Sequence, residues 1–285
     1  MTLVAALKMG TRIVVLSDTQ IDNRDATRPN IIPGRLKSVV LNEALTVSYA
    51  GLSSQAMDAI RSVHRGLPQP TEQVFEALVE ASGRHHGELD FILCSHEKPD
   101  APRLVKVSDG LVSEGADFYW IGNQSSASAF SKLELPPVQG SNITEPMSLA
   151  EAEFSRRFHE YVYSSRDPNV GGAVVNCLCS PFGHCYQDHA GSMAWDVIVF
   201  PDNTDPAEKQ GKHKTGITSF SYHVYSAIER GIAIVGLYLE QPEVGFLYAP
   251  LEVDDAVQLN ASDQAQFREL VTREGRKRIV PTGAG

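Results

Sequence analysis

The chain has 285 residues, 42% hydrophobic and 21% charged, enough to bury a substantial core without covalent staples. Its formal net charge of −10 argues against a general nucleic-acid or anionic-membrane binder. No apolar run approaches the roughly 20 residues that span a bilayer, no secretion leader is read, and four cysteines make no disulfide framework, so a cytoplasmic protein is expected.

In chain order, residues 2–8 and 12–17 read as two short apolar strands joined by a tight turn at Met9-Gly10-Thr11. Such a hairpin pins residue 2 in a sheet, where most termini fray. A polar loop from Asp18 to Gly34 follows, then a second hairpin from 35–41 and 44–50, ended by Gly51. The spacing of Met57, Ile60 and Val63 predicts a helix over 53–65, and Pro70-Thr71-Glu72 opens another. Strands are expected at 90–95, 103–107 and 118–121, and helices at 124–132 and 148–163. Further strands are read at 171–179, 195–200, 219–228, 231–240 and 244–249, a surface loop at 203–215, and a last helix at 262–274.

Hairpins dominate and strict strand–helix alternation is absent. That predicts an α+β protein in which antiparallel sheets pack together with helices outside. No Pro/Ser/Gly-rich linker divides the chain, so one domain over 1–285 is expected.

The chemistry starts at residue 2. Initiator methionine followed by threonine is a usual substrate for methionine removal, which would leave Thr2 with a free α-amine of ordinary pKa about 8. That amine can accept a proton near neutral pH, and it shares its residue with a hydroxyl that needs such a base to become a nucleophile. A nearby ammonium lowers the amine pKa, and a carboxylate holds the ammonium. Lys37 and Asp18 supply that pair, and the Gly51 N–H at a strand end is placed to receive an oxyanion. Taken singly, Asp18 reads as a turn residue and Lys37 as an edge-strand charge; their joint spacing with Thr2 and Gly51 carries the functional reading.

Thr2, Ser17-Asp18-Thr19-Gln20, Lys37 and Tyr49-Ala50-Gly51 resemble the series in proteasome β subunits, and are similar to the bacterial HslV protease and the Anbu family. The resemblance weakens towards residue 135. It implies an N-terminal-nucleophile hydrolase with a four-layer αββα sandwich of two antiparallel sheets. It also implies a threonine peptidase without metal or organic cofactor, working as a homo-oligomer on peptides or unfolded chains. The segment 118–122 is similar to the strand before the family's Gly-Ser-Gly turn, so the family's catalytic serine falls on Asn123 or, after a local shift, on Ser125. An asparagine hydrogen-bonds an amine but relays no proton. That substitution, with a C-terminal part from about 185 to 285 that resembles nothing familiar, motivates the alternative of an inactive scaffold or assembly subunit. Residues 185–285 are expected to add strands and a final helix.

A rival constellation comprises Cys177, Cys179, His184, Cys185 and His189, whose residue types suit zinc. Their spacing matches no standard zinc pattern, and Cys177 and Cys179 share one strand face, where cysteine serves as a small buried hydrophobe.

Overall fold

The computed structural model describes residues 2–20, 34–67, 70–122, 149–164, 170–199, 214–227 and 230–279. They form an α+β protein of three antiparallel sheets. The first hairpin is β1 (Leu3–Met9) and β2 (Arg12–Asp18), and the second is β3 (Ser38–Asn42) and β4 (Leu45–Gly51). Helices α1 (Ser53–Arg65) and α2 (Thr71–Arg84) follow, then β5 (Leu89–Ser95), β6 (Arg103–Ser108), β7 (Leu111–Glu114) and β8 (Phe118–Gly122). After α3 (Leu149–Ser164) come β9 (Val174–Ser180) and β10 (Gly183–Tyr186). The remainder is β11 (His189–Val199), β12 (Lys214–Ser226), β13 (Val235–Leu239), β14 (Val244–Tyr248), β15 (Val257–Leu259) and α4 (Gln264–Ile279).

The sheets run β10-β9-β2-β1-β8, β3-β4-β5-β6-β7 and β11-β12-β13-β14-β15. Alternation along each strand sorts side chains between cores. Val4 and Ala6 of β1, with Ile13 and Val15 of β2, enter a central cluster shared with Val40, Ile92 and Leu104 of the second sheet. The third sheet adds Met193, Tyr222, Val224, Leu237 and Tyr248 to that same cluster. Leu3, Ala5 and Leu7 point the other way, onto α3, whose Ala150, Phe154, Phe158 and Val162 recur every four residues. Val39, Val47 and Leu93 of the second sheet meet Met57, Ile60 and Val63 of α1 and Val74, Phe75 and Leu78 of α2.

The third sheet departs from the expected pair of sheets. Its outer face is covered by α4 through Phe267 and Val271, one helical turn apart. Gly236 and Gly245 make room there, because a Cβ on either would run into the Phe267 ring. The expected extension after residue 185 is thus five strands with their own helix. Among the described residues no helix is long and apolar enough to cross a membrane.

Candidate active site

Thr2 precedes β1 and is buried. Its neighbour Leu3 donates its backbone N–H to Asp18 Oδ1 at 3.0 Å, since β1 and β2 are paired in register with Val4 opposite Ser17. Lys37 Nζ lies 2.7 Å from that same oxygen. The lysine ammonium and the start of β1 therefore converge on one carboxylate atom. Asp18 Oδ2 accepts the Gly171 N–H at 3.1 Å, so both oxygens act as acceptors, as an ionised carboxylate requires. Lys37 also donates to the Gln20 carbonyl, and its third proton meets no acceptor among the described residues.

Burial pushes the Lys37 ammonium down from its ordinary pKa, opposed by the attraction of Asp18. Burial likewise pushes the Asp18 carboxyl up, opposed by Lys37 and by the Leu3 and Gly171 amides. Partners for both carboxylate oxygens and for two of the lysine protons offset part of the cost of burying such a pair. The turn at 170–173 supplies part of that: Gln20 N–H donates to Gly171 O at 3.1 Å and Ala173 N–H to Thr19 Oγ1 at 2.9 Å.

Lys37 was expected inside a strand over 35–41, but β3 begins at Ser38. The β3–β4 ladder pairs Ser38 with Ser48, and Tyr49 N–H still donates to Lys37 O at 3.0 Å. The next rung would join Gly51 to Arg35. Instead Arg35 N–H donates to Thr19 O at 2.8 Å, so the chain has left β4 for β2. By ladder alternation the Gly51 N–H points into the gap this leaves, and it finds no acceptor among the described residues. Gly51 is exposed at the end of an otherwise buried strand.

The glycine at position 51 has a reason in its own surroundings. Its φ is +104°, and a Cβ would collide with the Glu88 carbonyl, in the turn just before β5. That backbone demands the glycine. Gly122, opposite Leu3 in register, has φ +116° and leaves no room for a Cβ against the Thr2 carbonyl, which fixes β8 tightly beside residue 2. Ser125 and Asn123, the two candidates for the relay position, lie outside the described residues.

The rival cluster is taken up by core hydrogen bonding. Cys177 and Cys179 lie on one buried face of β9 with their sulfurs 4.0 Å apart. His184 faces Thr46 Oγ1 through Nδ1 at 2.8 Å and His96 Nδ1 through Nε2 at 2.8 Å, and His96 Nε2 faces Thr11 O at 2.8 Å. A carbonyl only accepts, so His96 Nε2 donates to it. His96 Nδ1 then accepts from His184, and His184 Nδ1 accepts the Thr46 hydroxyl proton. Burial pushes His184 down to about 3, so the whole chain is neutral. His189 lies between two carbonyls, Val174 O at 2.8 Å from Nε2 and Gln187 O at 3.1 Å from Nδ1. Among the described residues no three His, Cys, Asp or Glu side chains are grouped to hold a metal.

Sequence reasoning missed the backbone partners Gln20 O and Gly171 N, which carry no side-chain signature; the Gly171-Gly172 pair was their one visible trace. It also missed Tyr186, whose hydroxyl donates to Ser38 O at 2.8 Å and braces the chain beside Lys37. No family model matches this chain, and no curated protein matches it significantly.

Proposed function

We propose that the protein is a threonine-nucleophile amide hydrolase, a peptidase acting in a self-assembled oligomer once Met1 has been removed. The observation that carries the reading is the single Asp18 oxygen shared by the Leu3 N–H and the Lys37 ammonium. It places a clamped lysine beside the first residues of β1.

In this mechanism Thr2 Oγ1 attacks the carbonyl carbon of a peptide bond while its proton passes to the Thr2 α-amine. The depressed, positively charged Lys37 favours the unprotonated amine by repulsion, and Asp18 keeps Lys37 in place. The carbonyl oxygen gains the electron pair and is met by the Gly51 N–H. Collapse of this intermediate expels the amine, which takes the proton from the Thr2 nitrogen, and leaves an ester on Thr2. Water, deprotonated by the same amine, hydrolyses that ester.

The αββα layering is supported by the order of the cores: α1 and α2 on one face of the second sheet, α3 on the far face of the first, and the central cluster between. Asn123, at the place of the family's serine, favours a second reading, a scaffold subunit that keeps the fold without the reaction.

Intact-mass measurement of the purified protein is expected to show loss of Met1. A threonine-directed electrophile such as a peptide epoxyketone is expected to add once, at Thr2. Thr2→Ala is expected to abolish peptide cleavage, and Lys37→Ala to lower it by at least about a hundredfold, the usual weight of proton transfer. Full cleavage by Thr2→Ala would overturn the peptidase reading; an unreactive Thr2 in a Met1-free protein would favour the scaffold. Native mass measurement tests assembly, where a lone 31.1 kDa species would count against the oligomer.

A further inference from the structure

Between β14 and β15 the sequence reads Ala249-Pro-Leu-Glu-Val-Asp-Asp255. Pro250 has no N–H to donate, and the turn closes by Glu252 and Val253 N–H groups that both reach Ala249 O, at 2.9 and 3.0 Å. Leu251 packs on the core between α1, α2 and the second sheet, while residues 252–255 stay exposed.

Two arginines hold this segment. Arg61 of α1 donates from Nε and a terminal nitrogen to Pro250 O, at 2.9 and 2.6 Å, and pairs with Asp254 at 2.7 Å. Arg35 donates to Ser53 Oγ at 2.9 Å and to Asp255 Oδ1 at 3.2 Å. Arg35 is the residue whose backbone left the β4 ladder, and Ser53 follows Gly51 by two positions. The guanidinium thus spans the flanks of the gap into which the Gly51 N–H points, and Asp255 ties the third sheet's loop to that bridge.

The two tethers are unequal. The Arg61 anchor is three short contacts on a half-buried group. The Arg35 tether is one longer contact to an aspartate side chain that is 84% exposed, and the buried Arg35 Nε meets no partner among the described residues.

We propose that residues 250–255 form a strap across the gap beside Gly51, with Arg35–Asp255 as its releasable latch and Arg61 as its fixed hinge anchor. The proposal rests on the reading of that gap as the peptide site. Releasing the latch frees the flank of β4 for an extended chain; closing it keeps folded surfaces and water traffic away from Thr2. An exposed ion pair is screened by salt, so the latch weakens with ionic strength while the Arg61 anchor holds.

The test compares the Met1-free wild type with Asp255→Asn and Asp255→Glu, using the rate of Thr2 modification by a peptide epoxyketone and hydrogen exchange over 251–256. Asp255→Asn is expected to exchange faster in that segment and to be modified about two- to fivefold faster. Asp255→Glu is expected to behave as wild type. Raising sodium chloride from 50 to 500 mM should speed the wild type and leave Asp255→Asn unchanged. Equal modification rates in wild type and Asp255→Asn would overturn the strap, as would unchanged exchange. No modification of Thr2 in any of the three proteins would instead overturn the peptidase reading, and the strap's control of access with it.

Discussion

The inner strands of the first two sheets and the outer strands of the third bury their residues differently. β1, β2 and β5 are covered on both faces, and their residues are buried almost without a break. In the third sheet β14 alternates between covered and half-covered positions, and β15 is open. Enclosed and open ion pairs differ in the same way. Lys37–Asp18 is enclosed with every carboxylate oxygen engaged, whereas Arg268–Asp188 and His223–Glu240 lie at the surface of the third sheet. Doubly covered strands tolerate an ion pair when the carboxylate oxygens are both engaged, and such enclosure shifts a lysine away from its ordinary pKa.

Removing one partner from each region tests the contrast. Lys37→Ala strands a buried carboxylate and is expected to cost about 3–5 kcal/mol in urea denaturation. A loss below about 1 kcal/mol would erase the distinction between the regions.

Phe267→Ala opens a cavity between α4 and the third sheet and is expected to cost about 3 kcal/mol. Because the central cluster draws on all three sheets, unfolding should remain one transition by fluorescence and circular dichroism alike. Two separated transitions would make the third sheet a unit of its own.

Acid sharpens the comparison with one histidine from each region. His184 of β10 is held at about 3 and His189 of β11 at about 4, both by burial. The folded values lie below the ordinary 6.5, so the unfolded chain binds the protons first. Their stabilisation is complete above pH 6.5 and drains away as pH falls towards those values, at up to about 1.4 kcal/mol per pH unit for each. Urea midpoints between pH 6.5 and 5 check this, and a flat profile would contradict neutral, enclosed rings. The smallest effect is expected at the surface: Arg268→Ala should change stability by less than about 1 kcal/mol.

The same contrast explains what could be read in advance. β1, β2, β4 and β5 are runs of apolar and β-branched residues, and their strands fall where the pattern puts them. β7, β10 and β15 escaped notice because three or four residues give no period to detect. β11 was expected to begin at Trp195 but begins at His189. The stretch His-Ala-Gly-Ser-Met-Ala has little strand propensity, and its pairing with β12 imposes the conformation. The strand read over 171–179 starts at Val174, because the two glycines before it turn to reach Asp18 and Gln20. In the candidate site, Lys37 announced its need for a partner by sitting in an apolar run. The gap beside Gly51 was invisible, since it arises from a backbone that changes partners between Arg35 and Lys37.

Val174 opens β9 three residues after the Gly171 amide that grips Asp18. Its N–H goes to the Tyr222 hydroxyl at 3.0 Å and its carbonyl to His189, both from the third sheet. Trimming the gene to the first 186 codons would therefore yield no minimal version of this protein. Both main-chain groups of that valine would be orphaned, and with them the footing of the carboxylate eighteen positions into the chain. The C-terminal hundred residues thus support the strand beside that carboxylate.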